Sequence, residues 1–457
     1  MRGMNEDSDK AGILGVKSSK RKVRAAVKNM KTPKWLVPLF VLAASVLVGR
    51  PNVVAQTYRL SPPASTIPPT MFGLHIHHLV KPYNVLSTWP SIPFGTWRLF
   101  DAYVVWADLE PQKGKWDFGT LDRYVSMAQQ HDVQILMPIG FPPPWASERP
   151  KEAPAFRPGS AAPPMSMTDW DDYVRALATR YKGRIHYWEL WNEPNLKGFY
   201  TGTVPHMVEL AKAAYTILKQ VDPSNEVVSP APTGGYTGPS WLDSYLKAGG
   251  GRYADIIGFH FYVSPQAPEA MVPLIERVKQ VMAQNGVGNK PLWCTEVGWY
   301  IQDSAGDVRS PNPTWQVVST HQAQGYVART YILAWANGVS RLYWYDWDSN
   351  TEGLTEPGGK ERKPAAYSYY ITEKWLIGAQ MTSCDSDSSG TWVCHITRDG
   401  GYNGYIVWNP NGAKGFAIPR DWNVQNYQDI NGNMHALKGP KTIGIGPSPI
   451  LLENKLP

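Results

Sequence analysis

Between Phe72 and Tyr345 the sequence alternates between short apolar runs and longer amphipathic stretches. The apolar runs are Phe72–His75, Thr96–Phe100, Val133–Pro138, Ile185–Trp191, Glu226–Ser229, Asp255–His260, Pro291–Thr295 and Arg341–Tyr345. Runs apolar on both faces suit parallel strands, which need helical crossovers between them. Helical spacing is present where it is needed. Trp170, Val174, Leu177 and Tyr181 fall at i, i+4, i+7 and i+11 behind a Thr168-Asp169 cap signal. Leu210, Ala214, Ile217 and Val221 repeat that spacing, Leu121, Val125 and Ala128 behave alike, and a stretch from Thr314 to Asn337 stops at Gly338. Eight such strands within 274 residues predict an α/β chain with a (β/α)8 TIM barrel. An open doubly wound sheet is the rival arrangement.

Beyond Tyr345 a Gly/Pro-rich loop leads to a helical segment near Pro364–Leu376, and from Met381 the texture changes. Thr391–Ile396, Tyr405–Trp408, Ile443 and Ile450–Leu452 read as short strands between turn signals. The expected organisation is a barrel over 71–379 and a small C-terminal β-sandwich-like domain over 380–457. The Pro/Ser/Thr-rich residues 56–70 read as a linker or an edge strand, and no repeat of 20–50 residues is present.

The net charge of +7 suggests an anionic partner until it is mapped along the chain. Residues 1–55 hold 11 of the 45 Lys and Arg and 3 of the 38 Asp and Glu, so residues 56–457 carry 34 positive and 35 negative groups. No basic stripe is left to neutralise phosphates, which argues against nucleic-acid binding. In the basic leader, Trp35–Val48 is an apolar stretch of 14 residues, too short to span a bilayer at roughly 20 residues. Followed by Val53-Val54-Ala55, it reads as a signal peptide cleaved after Ala55, and predicts export to the periplasm or the medium. The alternative is an uncleaved anchor, the one way in which the chain would touch a membrane. Translation starting at Met30 would leave an ordinary short basic region before the apolar stretch. Export makes a disulfide between Cys384 and Cys394 feasible across a polar turn, while Cys294 lies in an apolar strand and reads as a buried thiol.

Catalytic groups of such barrels come from the carboxyl ends of strands. Two of the predicted strands, the fourth and the seventh, run into glutamate: Tyr187-Trp188-Glu189-Leu190-Trp191-Asn192-Glu193-Pro194 and Leu292-Trp293-Cys294-Thr295-Glu296-Val297-Gly298-Trp299. One strand-end glutamate is ordinarily a solvated loop residue. Two on strands that face each other across the barrel mouth can share a cleft, and Glu193 and Glu296 are the candidate pair. Paired carboxylates do glycosidic chemistry, one protonating the leaving oxygen while the other attacks the anomeric carbon or positions water. A separation of about 5–5.5 Å retains configuration and roughly 6.5–9.5 Å inverts it, so the outcome turns on the folded geometry.

Trp191-Asn192-Glu193-Pro194 and Thr295-Glu296-Val297-Gly298-Trp299 resemble the acid/base and nucleophile motifs of retaining glycoside hydrolases of clan A. Within that clan the chain looks most like family 39, with relatives near family 5. Phe72-Gly73-Leu74-His75, Trp97-Arg98-Leu99, the Trp116–Asp132 stretch and the closing Ser448-Pro449-Ile450-Leu451-Leu452 add to the likeness, which covers nearly all of 70–457. The resemblance implies Glu193 as general acid/base, Glu296 as nucleophile, and Asn192 as partner of the sugar 2-hydroxyl. It also implies that Arg98 keeps the nucleophile region ionised, that His260 and Tyr262 sit beside Glu296, and that Trp344 floors the reacting sugar's subsite. Two features depart from the pattern. Tyr343-Trp344-Tyr345-Asp346-Trp347 offers two tryptophans for one platform, and the loop from Phe141 to Pro164 is long and proline-rich.

His75, His77 and His78 invite a metal reading, but no HExxH motif or nearby carboxylate cluster in the sequence supports one. Strand alternation lets one of His75 and His77 reach sugar hydroxyls, and His77, past the strand end, is the choice. The expected protein is therefore a retaining glycoside hydrolase for a β-linked polysaccharide or oligosaccharide, monomeric, with no cofactor and no metal. The 20 Trp and 24 Tyr lean towards an aromatic-lined open cleft and endo action. The alternatives are an exo-acting glycosidase of the same clan and a non-catalytic carbohydrate-binding barrel.

Overall fold

A computed structural model describes residues 56–80, 87–153, 157–304, 316–437 and 442–456. The leader, with its expected cleavage site, lies outside the described residues. All eight predicted barrel strands form, as Phe72–His75, Thr96–Arg98, Gln134–Ile139, Tyr187–Leu190, Glu226–Val228, Ile257–His260, Leu292–Val297 and Val339–Trp344. Each pairs in parallel with its neighbours, the eighth with both the first and the seventh. A parallel bridge between Val228 and Ile256 closes the ring between the fifth and sixth strands, which excludes the open sheet.

Alternation sorts each strand into an inward and an outward set. Leu136, Val228, Ile256, Trp293 and Tyr343 pack together with Tyr187 as the interior plug. The Arg341 guanidinium lies 4.2 Å from the ring centres of both Tyr187 and Trp293, a cation held between two aromatic faces within that plug. Gly73 is inward too, and a Cβ there would stand 2.6 Å from the Tyr343 ring and 2.7 Å from Thr96 Oγ1. Outward residues such as Trp97, Trp188, Leu190 and Trp344 join the core between strands and helices.

The helices bury the stripes that the spacing predicts: Leu121, Val125 and Ala128, then Trp170, Val174 and Leu177, then Leu210, Ala214 and Ile217. Two starts differ from expectation. The helix that carries Trp170 begins at Met167 because Ser166, not Thr168 or Asp169, caps it, accepting from the Asp169 N–H. The last barrel helix begins at Thr320 behind a Ser319–Gln322 capping box, since Val317–Val318 is drawn off into a short strand beside Tyr300–Ile301.

The helix Pro364–Leu376 leads into an antiparallel sheet of seven strands, in the order Arg59–Leu60, Gln380–Ser386, Trp392–Arg398, Tyr402–Trp408, Ile450–Glu453, Asn426–Gln428 and Met434–Ala436. Residues 59–60 supply its first edge, and Cys384 and Cys394 stand opposite each other on adjacent strands, joined by a disulfide. Ile406 and Trp408 face the barrel's core, while Val407 turns to a separate cluster with Ile418, Val424, Ile445, Ile450 and Leu452. The ribbon of Lys414–Ala417 and Thr442–Ile445 contributes to that second cluster, giving the two-layered arrangement of a sandwich. The barrel's core runs without a break into the first face of this sheet, and Trp408 Nε1 donates to Glu269 Oε1 at 2.8 Å. No helix among the described residues is long and apolar enough to cross a membrane.

Candidate active site

The fourth strand ends abruptly. Trp191 and Glu193 take left-handed backbone angles, with φ of 56° and 44°, on either side of Asn192, which bridges to Ala231. Non-glycine residues rarely accept such angles, and here the neighbours impose them: Trp191 N–H donates to Ile139 O and Glu193 N–H to Ala231 O. The turn aims Asn192 and Glu193 into a cavity of about 450 Å³, which Glu296, Tyr262, Tyr345 and Glu352 also line. Among the ligand-bearing atoms of Glu193, His260 and Glu296, one from each lies within 4.8 Å of the others.

Arg98 organises the floor from a fully buried position. Its Nε donates to Glu189 Oε2 at 2.6 Å, Nη1 to Glu296 Oε2 at 2.8 Å, and Nη2 to Asn192 Oδ1 at 2.7 Å. Tyr262 donates its hydroxyl to Glu296 Oε1 at 2.9 Å. Arg98 and Tyr262 therefore both reach Glu296. His260 lies beside both carboxyls, its Nδ1 3.0 Å from Glu193 Oε1 and 3.9 Å from Glu296 Oε1, nearer to Glu193. Strand alternation explains this, since His260 ends the sixth strand pointing inward, whereas Tyr262 lies two residues further, past the strand.

Burial pushes the carboxyls of Glu193 and Glu296 each up to about 7. Their partners are unequal. Glu296 accepts from a guanidinium and a phenol, both of which favour the ionised form, while Glu193 faces an imidazole that burial drives down to about 4 and so leaves neutral at pH 7. The two carboxyls titrate as a pair, and the contacts of Glu296 are those that favour an ionised carboxyl.

Trp344 is a correction. It is fully buried, stacked 5.8 Å from Trp299, and lines no part of the cavity. With Tyr343 inside the barrel, alternation sends Trp344 outward and Tyr345 back over the cleft, where its hydroxyl donates to Asp101 Oδ2 at 2.7 Å. The tryptophan argument for an open cleft falls with it, because thirteen of the 20 tryptophans are buried. His77 lies outside the catalytic cavity, in an adjoining one, with Nδ1 3.0 Å from Asp346 Oδ2. Burial opposes a charge on His77, but the hydrogen bond and charge of Asp346 prevail and raise it to about 9.

The sequence showed no carboxylates near the histidines, yet the fold brings His77, Asp346 and Asp348 within 4.8 Å. Hydrogen bonds account for this cluster: Asp348 accepts from the N–H groups of His77 and His78 and from Ser87, and Asp346 engages His77. Glu189 and Glu352 also went unnoticed. Glu189 sits two residues after inward-facing Tyr187, a polar residue at an inward position of an apolar strand. Glu352 reaches the cavity from the loop after the eighth strand, and burial raises its carboxyl well above the usual range.

A closed (β/α)8 barrel with glutamates converging from the ends of its fourth and seventh strands is the architecture of clan A glycoside hydrolases. Within that clan the chain is most like family 39. Residues 95–303 match the model of glycosyl hydrolases family 39. A β-xylosidase of Caldicellulosiruptor saccharolyticus is 33% identical over 146 residues, 28% of this chain and 30% of that one. A β-xylosidase of Geobacillus stearothermophilus is 24% identical over 207 residues, 40% of each chain. The chain thus aligns with less than half the length of either. Among solved structures, a family 39 glycoside hydrolase from Bacteroides cellulosilyticus has a TM-score of 0.65 at 20% identity, covering 84% of this chain and 81% of the other. A monomeric β-xylosidase from Caulobacter crescentus has a TM-score of 0.59 at 16% identity, covering 86% and 97%. At these identities the structures speak for the fold.

Proposed function

We propose that the protein is a retaining glycosidase acting on β-linked glycans of the xylose type, as an exported monomer. The observation that carries this reading is the close approach of the two carboxyls, with oxygens of Glu193 and Glu296 within 4.8 Å of each other. Such an approach favours retention, at about 5–5.5 Å between carboxyl groups, over inversion at roughly 6.5–9.5 Å. Glu296, in its ionised form and hydrogen-bonded by Arg98 and Tyr262, attacks the anomeric carbon while Glu193 gives its proton to the leaving oxygen. Glu193, now a carboxylate, takes a proton from the water that releases the sugar from Glu296. Asn192, fixed by Arg98, leaves its Nδ2 without a hydrogen-bond partner among the described residues, available to the 2-hydroxyl of the reacting sugar. The names of the two curated relatives support a β-xyloside, and the basic leader with its apolar stretch supports export.

Proton NMR of the sugar first released from an aryl β-xyloside tests the reading, and retention gives the β-anomer before mutarotation. Glu296→Ala should abolish turnover. Glu193→Ala should keep cleavage of substrates with good leaving groups and be rescued by azide as the β-glycosyl azide. First release of the α-anomer, or wild-type turnover by both Glu193→Gln and Glu296→Gln, would overturn it.

A further inference from the structure

Two cavities meet at the hydrogen bond between Tyr345 and Asp101, residues that line both. In the catalytic cavity, Leu196, Phe199, Gly234 and Gly235 extend from the Glu193 side, along loops that follow the fourth and fifth strands. A leaving group protonated by Glu193 departs over those residues. The rest of the substrate then runs the other way, across Asp101 and Tyr345. There the second cavity opens, about 350 Å³ in volume, among loops that follow the first, second, third and eighth strands. Its size falls within the ~300–1,000 Å³ of small-molecule sites.

We propose that this second cavity binds the next sugar on the non-reducing side of the scissile bond, a neutral pyranose stacked on Tyr103, so that the enzyme removes units of two or more sugars. The inference rests on the retaining-glycosidase reading and adds the length of glycan recognised. Tyr103, which lines this cavity, is 41% exposed between Ala102 and Val104, each 1% exposed, so the loop is anchored on both sides of it. Asp101 and Tyr103 both hold left-handed backbone angles, φ 58° and 57°, which side chains of this kind avoid unless their surroundings impose them. A flat aromatic face at a cavity mouth suits the C–H face of a pyranose.

Polar groups for the hydroxyls are in place. His77 is buried in the wall, with Nδ1 engaged by Asp346 and Nε2 lacking a hydrogen-bond partner among the described residues. Arg157 and Asp108 form an ion pair in the lining, a donor and an acceptor side by side for vicinal hydroxyls. The charges favour a neutral ligand: Asp101 and Asp108 accompany Arg157, and Asp346 matches His77. A uronate would meet more carboxylate than unpaired cation.

The test compares kcat/KM of the full chain on an aryl β-xyloside and the aryl β-xylobioside, with the aryl β-glucoside and β-cellobioside as a second pair. In the better-cleaved pair the disaccharide glycoside should be favoured about tenfold, equivalent to roughly 1.4 kcal/mol of remote binding used at the reacting bond. The intact disaccharide should be the first product. Tyr103→Ala, and independently Arg157→Gln, should bring the ratio towards one. A wild-type ratio of one or less, single sugars released first, or a ratio unmoved by both substitutions would overturn the second subsite while leaving the glycosidase reading standing. No turnover of any of the four glycosides would strike the glycosidase reading itself, and the subsite with it.

Discussion

Replacing Arg98 by methionine keeps much of the side chain's volume and removes a charge that three buried groups share. Glu189 and Glu296 then lose their nearest cation at 2.6 and 2.8 Å, and Asn192 Oδ1 loses a donor at 2.7 Å. Leaving a buried charge unpaired costs about 3–5 kcal/mol. For roughly 400 folded residues, at ~2.1 cal/mol/K per residue, that lowers Tm by about 4–6 °C. The loss should depend on pH in a defined direction. Glu296, already up at about 7, is pushed higher once the guanidinium is gone. A carboxyl whose folded pKa lies above its unfolded value of about 4.3 removes stability as pH rises through that interval. The deficit is therefore largest at pH 8 and smallest at pH 5, where Glu296 is protonated in either protein. Thermal melts at both pH values measure it. Adding Glu189→Gln to Arg98→Met removes one stranded charge and should restore part of the loss. Arg98→Lys should recover stability better than activity, since an ammonium cannot present three divergent N–H groups in one plane. An equal Tm drop at pH 5 and pH 8, or a double variant less stable than Arg98→Met, would refute the assignment of Arg98 as the shared counter-ion.

The remaining predictions concern activity. With Glu193 at about 7 as the acid, kcat/KM should fall as pH rises past about 7, because the proton donor is lost; in Glu193→Ala, assayed with an activated aryl glycoside, that alkaline limb should vanish. Tyr262→Phe removes a hydrogen bond to Glu296 worth about 1.5–3 kcal/mol, so steady-state kinetics should show kcat lowered roughly 10- to 100-fold in an enzyme that still folds. Tyr345→Ala should raise KM and lower kcat/KM with little change in Tm, whereas Trp344→Leu should lower Tm, by a few degrees for the ~3 kcal/mol such a core truncation costs, and leave KM nearly unchanged.

The barrel was legible because each strand is buried on both faces and so carries a compact apolar run, and Glu193 and Glu296 were legible because they break such runs at the carboxyl end. Capping hid the helix starts: Ser166 and Ser319 each take an N–H three residues on, and several nearby polar residues look equally able to do so. In the C-terminal sheet, Asn426–Gln428 and Met434–Ala436 bury no full apolar face, which leaves a sequence pattern nothing to register. The misplacement of Trp344 is a matter of parity. A one-residue error along a strand exchanges barrel interior for helix-facing core, and the run Tyr343-Trp344-Tyr345 has an aromatic at every step to disguise it. Asp346 and Asp348 approach His77 only because the eighth strand closes on the first, a contact spanning some 270 residues of chain.

The proposed division of tasks between the two glutamates rests on the same closure. Burial does not separate them, since it is the largest cause of the rise in both. The distinction comes from neighbours supplied by separate strands: Arg98 from the second reaches Glu296, His260 from the sixth reaches Glu193, and neither neighbour is adjacent in sequence to the group it governs. The same guanidinium holds Asn192, next to the acid, and Glu189, one layer below. Glu296, Asn192 and Glu189 therefore keep their relative positions through a single planar cation. Under the proposed mechanism Arg98 acts on the positions of nucleophile and amide together, whereas a change at His260 or Tyr262 touches one carboxyl contact at a time.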